Sequence, residues 1–88
     1  MLTSVILTVK VERTDIQYDM ELPANVAGED LCNKLLIALK SIEDDTFRSS
    51  EKIHLRIERS GERLGDEQTL EDARVWDGNI VTVVKGGW

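Results

Sequence analysis

Apolar residues recur with a period of two near both ends of the chain and with a helical period between them. Val5, Leu7, Val9 and Val11 alternate with Ile6, Thr8, Lys10 and Glu12, which predicts a strand with one buried face. The polar break Arg13-Thr14-Asp15 leads to a second alternation, in which Ile16, Tyr18, Met20 and Leu22 interleave with Gln17, Asp19 and Glu21. Two such runs around a short break predict a β-hairpin, ended by Pro23, which has no N–H to give to a ladder. Leu31, Leu35, Leu39 and Ile42, with Leu36 and Ala38 beside them and Cys32 at the border, form an apolar stripe at helical spacing. Gly28, Glu29 and Asp30 suit the first turn of that helix, where acids meet the positive end of the dipole. Glu43, Asp44 and Asp45 oppose its negative end and predict a stop near Ile42.

The polar loop Thr46 to Lys52 carries the only phenylalanine, Phe47. Ile53, Leu55 and Ile57 then alternate with His54, Arg56 and Glu58 as a third strand, turned by Ser60-Gly61. Leu64 marks a short return strand. Thr69 is placed to cap a single helical turn that carries Leu70, Ala73 and Val75. Asp77-Gly78 is a turn, and Asn79 to Val84 is the last strand. Each element offers one apolar face, so the helix must cover one side of a small sheet. The first and last strands are expected to pair in parallel. The expected class is α+β, a β-grasp with a mixed sheet of four to five strands packed on one main helix, as one domain over residues 1–88.

Composition narrows the function. A chain of 88 residues can bury a single core. The net charge of −6 has the wrong sign for a nucleic-acid partner. One cysteine and one histidine allow neither an internal disulfide nor a zinc site, and no cofactor is expected. No apolar run approaches the roughly 20 residues that span a bilayer, so direct membrane insertion is not expected. The start MLTSVILTVK lacks a signal-peptide pattern, and a cytoplasmic location is the expectation. Catalytic residues are expected to be absent. A nucleophile needs a base within reach, whereas Cys32 on the helix and His54 on the outer face of the third strand point apart.

Gly61 to Val75, GERLGDEQTLEDARV, resembles the ubiquitin-like pattern G-x-x-L-x-D-x-x-T-L-x-D-x-x-[IV], met by Gly61, Leu64, Asp66, Thr69, Leu70, Asp72 and Val75. The order of elements extends that resemblance over nearly the whole chain. Leu22-Pro23 before the helix, together with Thr69, Leu70, Val75, Asp77, Gly78 and Ile80 in the frame T-L-x(4)-V-x-D-G-x-I, is similar to the YukD/EsaB group of small bacterial proteins of type VII (WXG-type) secretion. The resemblance implies a non-catalytic interaction module and an accessory role in such a secretion system. It also implies protein partners that include membrane-embedded secretion components. A monomer or a weak homodimer is expected.

The ending VVKGGW keeps a second use open. Ubiquitin-like modifiers and sulfur carriers are activated at a terminal diglycine, which here would be Gly86-Gly87 after removal of Trp88. Reach opposes that use. Only the ten residues WDGNIVTVVK separate Val75 from the glycine pair, and most of them belong to the strand pattern. For the interaction module the candidate contact residues are His54, Arg56 and Glu58 on the outward face, with Trp76 and Trp88 as aromatic anchors. By the resemblance, Glu58 stands where ubiquitin itself carries the centre of an apolar recognition patch. A charged row there demands a partner that reads charge.

Overall fold

The computed structural model describes residues 3–42 and 52–86. Glu43, Asp44, Asp45, Phe47, Gly87 and Trp88 lie outside the described residues. The elements are β1 (Ser4–Val11), β2 (Gln17–Pro23), α1 (Gly28–Ile42), β3 (Ile53–Ile57) and β4 (Ile80–Lys85). They form a four-stranded sheet in the order β2-β1-β4-β3. β1 pairs antiparallel with β2 and parallel with β4, with Val9 opposite Val81 and Val11 opposite Val83. β3 completes the sheet antiparallel to β4. The α+β, mixed-sheet expectation matches in element order and in the central parallel pair.

The alternation places Val5, Leu7, Val9 and Val11 on the inner face, all buried, with Val81, Val83, Ile53, Leu55 and Ile57 beside them. Leu31, Leu35, Leu36 and Leu39 of α1 close over that face. Ile42 departs from its expected place in the stripe and is half exposed. It is the last residue of α1, past Leu39, the last residue of the helix that is buried.

The segment after β3 also differs from expectation. The predicted return strand is reduced to one bridge, Arg56 to Arg63, supported by Leu64 N–H to Leu55 O (2.9 Å) and Ile57 N–H to Glu62 O (2.8 Å). The chain leaves the ladder there because the next residues cap α1. The Gln68 carbonyl accepts from the Gly28 N–H (2.8 Å), and the Asp66 carbonyl accepts from the Glu29 N–H (2.9 Å). Those N–H groups have no partner inside the helix, so backbone carbonyls of the loop satisfy them. Gly28 permits the approach. A methyl group on it would run into the Gly65 carbonyl oxygen and lie 3.3 Å from the Gln68 oxygen.

Thr69 caps the following turn as expected. Its hydroxyl accepts from the Asp72 N–H (3.0 Å), and the Asp72 carboxylate accepts from the Thr69 N–H (3.2 Å), a reciprocal capping box. The turn ends with Val75 N–H on Leu70 O (3.0 Å) and Arg74 N–H on Glu71 O (3.1 Å), which is a Schellman closure. Arg74 takes the left-handed position, φ 57°, usually held by glycine. Arg74→Gly is therefore expected to stabilise the domain by about 0.5–1 kcal/mol, read as a shift of the urea midpoint without a change in slope.

Candidate functional site

Alternation in the strands sends His54, Arg56 and Glu58 to the face of the sheet away from α1. Arg56 stands directly across from Thr82, and His54 across from Val84. Glu58 lies one outward position further along, its N–H bonded to Ile80 O (3.1 Å). The three predicted contact residues thus share one face.

They are joined by partners that their own strand does not supply. The Arg56 guanidinium lies 3.6 Å from Glu12 and 3.6 Å from Glu58. The Thr82 hydroxyl donates to the Glu58 carboxylate, which holds that carboxyl below the usual range, and the neighbouring Arg56 and Lys10 charges act in the same direction. Thr82 is buried on this outward face. Each pair here is partly solvated, and exposed ion pairs contribute little to stability. The arrangement therefore fixes side-chain directions more than it stabilises the fold. A shallow hollow of about 380 Å³ lies between this cluster and the β1–β2 turn, lined by Lys10, Glu12, Arg13, Arg56, Glu58 and Thr82 among others.

Lys10, Glu12 and Thr82 complete the cluster and were not among the residues singled out from sequence. A signal for two of them existed. Lys10 is outward in the first alternation, and Thr82 is the polar position between Val81 and Val83, so the expected parallel pairing aligns them.

Trp76 is 42% exposed. It sits in the turn before β4, where its N–H donates to the Asn79 side chain (2.9 Å) and its carbonyl accepts from the Asn79 N–H (3.1 Å). That turn is at the Glu58 end of the face, whereas His54 is at the Lys85 end. Trp88, the other predicted anchor, lies outside the described residues.

The chain stays in the sheet through Lys85, opposite Ile53. Gly86 is then held on both sides. Its N–H donates to the Lys52 carbonyl (2.8 Å), and its own carbonyl lies 3.1 Å from Nδ1 of His54. Gly87, the alternative activation point, lies outside the described residues.

Cys32 packs partly against the core, and burial first, then the nearby Asp66 charge, raises its thiol pKa. It and His54 belong to opposite sides of the sheet, as the sequence implied. Among the described residues no group of acids, cysteine and histidine is arranged to hold a metal. No helix among them is long and apolar enough to cross a membrane.

Comparison with known proteins adds a family and a set of related folds. Residues 5–83 match the family described as WXG100 protein secretion system (Wss), protein YukD. The fold is that of the ubiquitin-like domain of the Mycobacterium tuberculosis type VII secretion system protein EccD1, with TM-score 0.72 and 24% identity over 94% of this chain and 99% of that one. It also matches a chain of the MycP5-free ESX-5 inner membrane complex, with TM-score 0.77 and 18% identity over 99% of this chain. The present chain spans 22% of that longer one. Caldiarchaeum subterraneum ubiquitin matches with TM-score 0.66 and 20% identity over 97% of this chain and 96% of its own. No curated protein matches the chain in sequence.

Proposed function

The chain belongs to the YukD family, and from that membership we propose that it is a non-catalytic ubiquitin-like module that binds protein components of a type VII secretion system. The observation that supports this reading most directly is the outward cluster of Arg56, Glu12, Glu58 and Thr82, whose charged groups are held in place by one another on an open sheet face. Charged groups already oriented lose little freedom when a partner's opposite charges meet them, and they favour specificity and fast association over raw affinity. At Glu58, the position that corresponds to the centre of ubiquitin's apolar recognition patch, this face carries a charge. His54 and Trp76 extend the contact surface toward its two ends.

The state of Gly86 favours this reading over activation at Gly87 after loss of Trp88. Entry into an activating enzyme would first break both polar contacts that hold Gly86 at the end of the sheet. One structural neighbour belongs to an inner membrane complex, and the location proposed for this chain is the cytoplasm.

The test uses tagged protein cross-linked in its native cell. Arg56→Ala combined with Glu58→Ala is expected to reduce recovery of secretion-system membrane components about tenfold or more. The melting temperature should move by no more than about 5 °C, because exposed ion pairs add little stability. Undiminished recovery, or collapse of the fold, would remove these residues from the binding role. Intact mass decides the alternative: species lacking Trp88 and isopeptide-linked through Gly87 would establish a modifier.

A further inference from the structure

The other half of the open face carries a different surface. Ile6, outward on β1, is 54% exposed. On one side its direct partner across the ladder is Glu21, and the next outward pair is Thr8 with Asp19. On the other side the backbone of Ile6 is bound by the turn before β4: its N–H donates to the Asp77 carboxylate (2.8 Å), and its carbonyl accepts from the Gly78 N–H (2.9 Å). Gly78 has φ +88°, and a Cβ there would meet nothing within 4 Å. A shallow groove of about 320 Å³ lies beside Ile6, lined by Thr8, Asp19, Asp77 and Gly78 among others.

Three carboxylates therefore ring an exposed isoleucine, and each is aimed by a donor of the sheet itself. Thr8 Oγ1 donates to Asp19 (2.9 Å), Ser4 Oγ donates to Glu21 (2.7 Å), and the Ile6 N–H holds Asp77. Each keeps a second oxygen for another donor. Among the described residues none of Asp19, Glu21 and Asp77 forms an ion pair.

We propose that this half of the sheet face docks a basic segment of a partner protein, with one large aliphatic side chain of that segment set against Ile6 in the groove beside Gly78 and its Lys or Arg groups on Asp19, Glu21 and Asp77. Charge decides the occupant. A second copy of this chain would bring the same carboxylates against one another, and like charges in close apposition oppose association. A nucleic acid is excluded by the same sign. A cationic segment gains pre-aimed carboxylates, whose hydrogen bonds to charged donors are stronger than neutral ones. It is also drawn in by the net charge of −6. This surface is separate from the Arg56 cluster, and the two hollows share no lining residue.

The probe is a fluorescein-labelled 16-residue amphipathic peptide of leucine and lysine, with the leucine and glutamate counterpart as control, measured by anisotropy against the full chain at physiological salt. The lysine peptide is expected to bind and the glutamate peptide not. Asp19→Asn with Glu21→Gln, and separately Ile6→Ser, should each weaken binding about tenfold or more. Glu62→Gln with Glu67→Gln removes the same charge from residues on the other side of β3 and should change it less than twofold. Amide shift perturbations should centre on Ile6, Thr8, Asp19, Glu21 and Gly78. Equal losses from both double variants would mean non-specific attraction and would overturn the proposal. Absence of lysine-peptide binding, perturbations confined to other surfaces, or concentration-dependent dimerisation abolished by Ile6→Ser would each do so as well.

Discussion

Replacing Gly28 by alanine is expected to destabilise the domain by about 3 kcal/mol or more, although helix propensity alone predicts a gain of about 1 kcal/mol for the same change. The two expectations differ in sign, so a single thermal or urea melt separates them. The loss arises because a methyl group at Gly28 has no room against the Gly65 carbonyl, and an oxygen of the backbone cannot swing aside like a flexible side chain. To admit the methyl, α1 must move away from the 65–68 loop. That movement stretches Gly28 N–H to Gln68 O and Glu29 N–H to Asp66 O, and leaves helix-end donors short of partners, that of the buried Gly28 among them. A variant as stable as the parent, or more so, would show that the approach of loop and helix is looser than described.

Leu70→Ala is the second large effect. Leu70 is 0% exposed and projects from the capped turn into the core, next to the loop that closes α1. Removing most of a buried leucine costs about 2–5 kcal/mol. For a domain of this size that means a fall of roughly 15 °C in melting temperature. Ile37→Ala is the matched control. Ile37 is 69% exposed on α1, so its truncation should leave the melting temperature within about 2 °C. A small effect at Leu70 would mean that the 69–75 turn is not an anchor of the core.

These two positions show what could be read from residues alone. Leu70 was legible: the frame Thr69-Leu70-x-Asp72 announces a capped turn, and an isolated leucine in a polar stretch has to be buried somewhere. Gly28 was legible only as a residue near a helix start. The reason it must be glycine lies in Gly65, distant in sequence and brought alongside only by the tertiary fold. The same limit governs the surfaces. Alternation placed His54, Arg56 and Glu58 outward together, because they fall in one run of period two. It could not show that Glu12 reaches Arg56, or that Asp77 binds the backbone of Ile6 from 71 positions away. Local pattern carries information about which face a residue takes. It carries none about which distant segment shares that face. Ile42 marks the converse error, since periodicity extends a stripe without indicating where the core beneath it stops.

The strand β4 lies between β1 and β3, yet it is the last of the elements to be synthesised. Until it arrives, the N-terminal hairpin and β3 have no strand to join them, and the sheet that α1 covers lacks its centre. A nascent chain emerging from the ribosome can therefore form α1 and the hairpin only as transient local structure, since an isolated hairpin is at best marginally stable. Acquisition of the native state is deferred until translation has passed Lys85. A stop codon anywhere upstream of Ile80 should yield a polypeptide that cellular proteases clear, rather than a shortened but folded product.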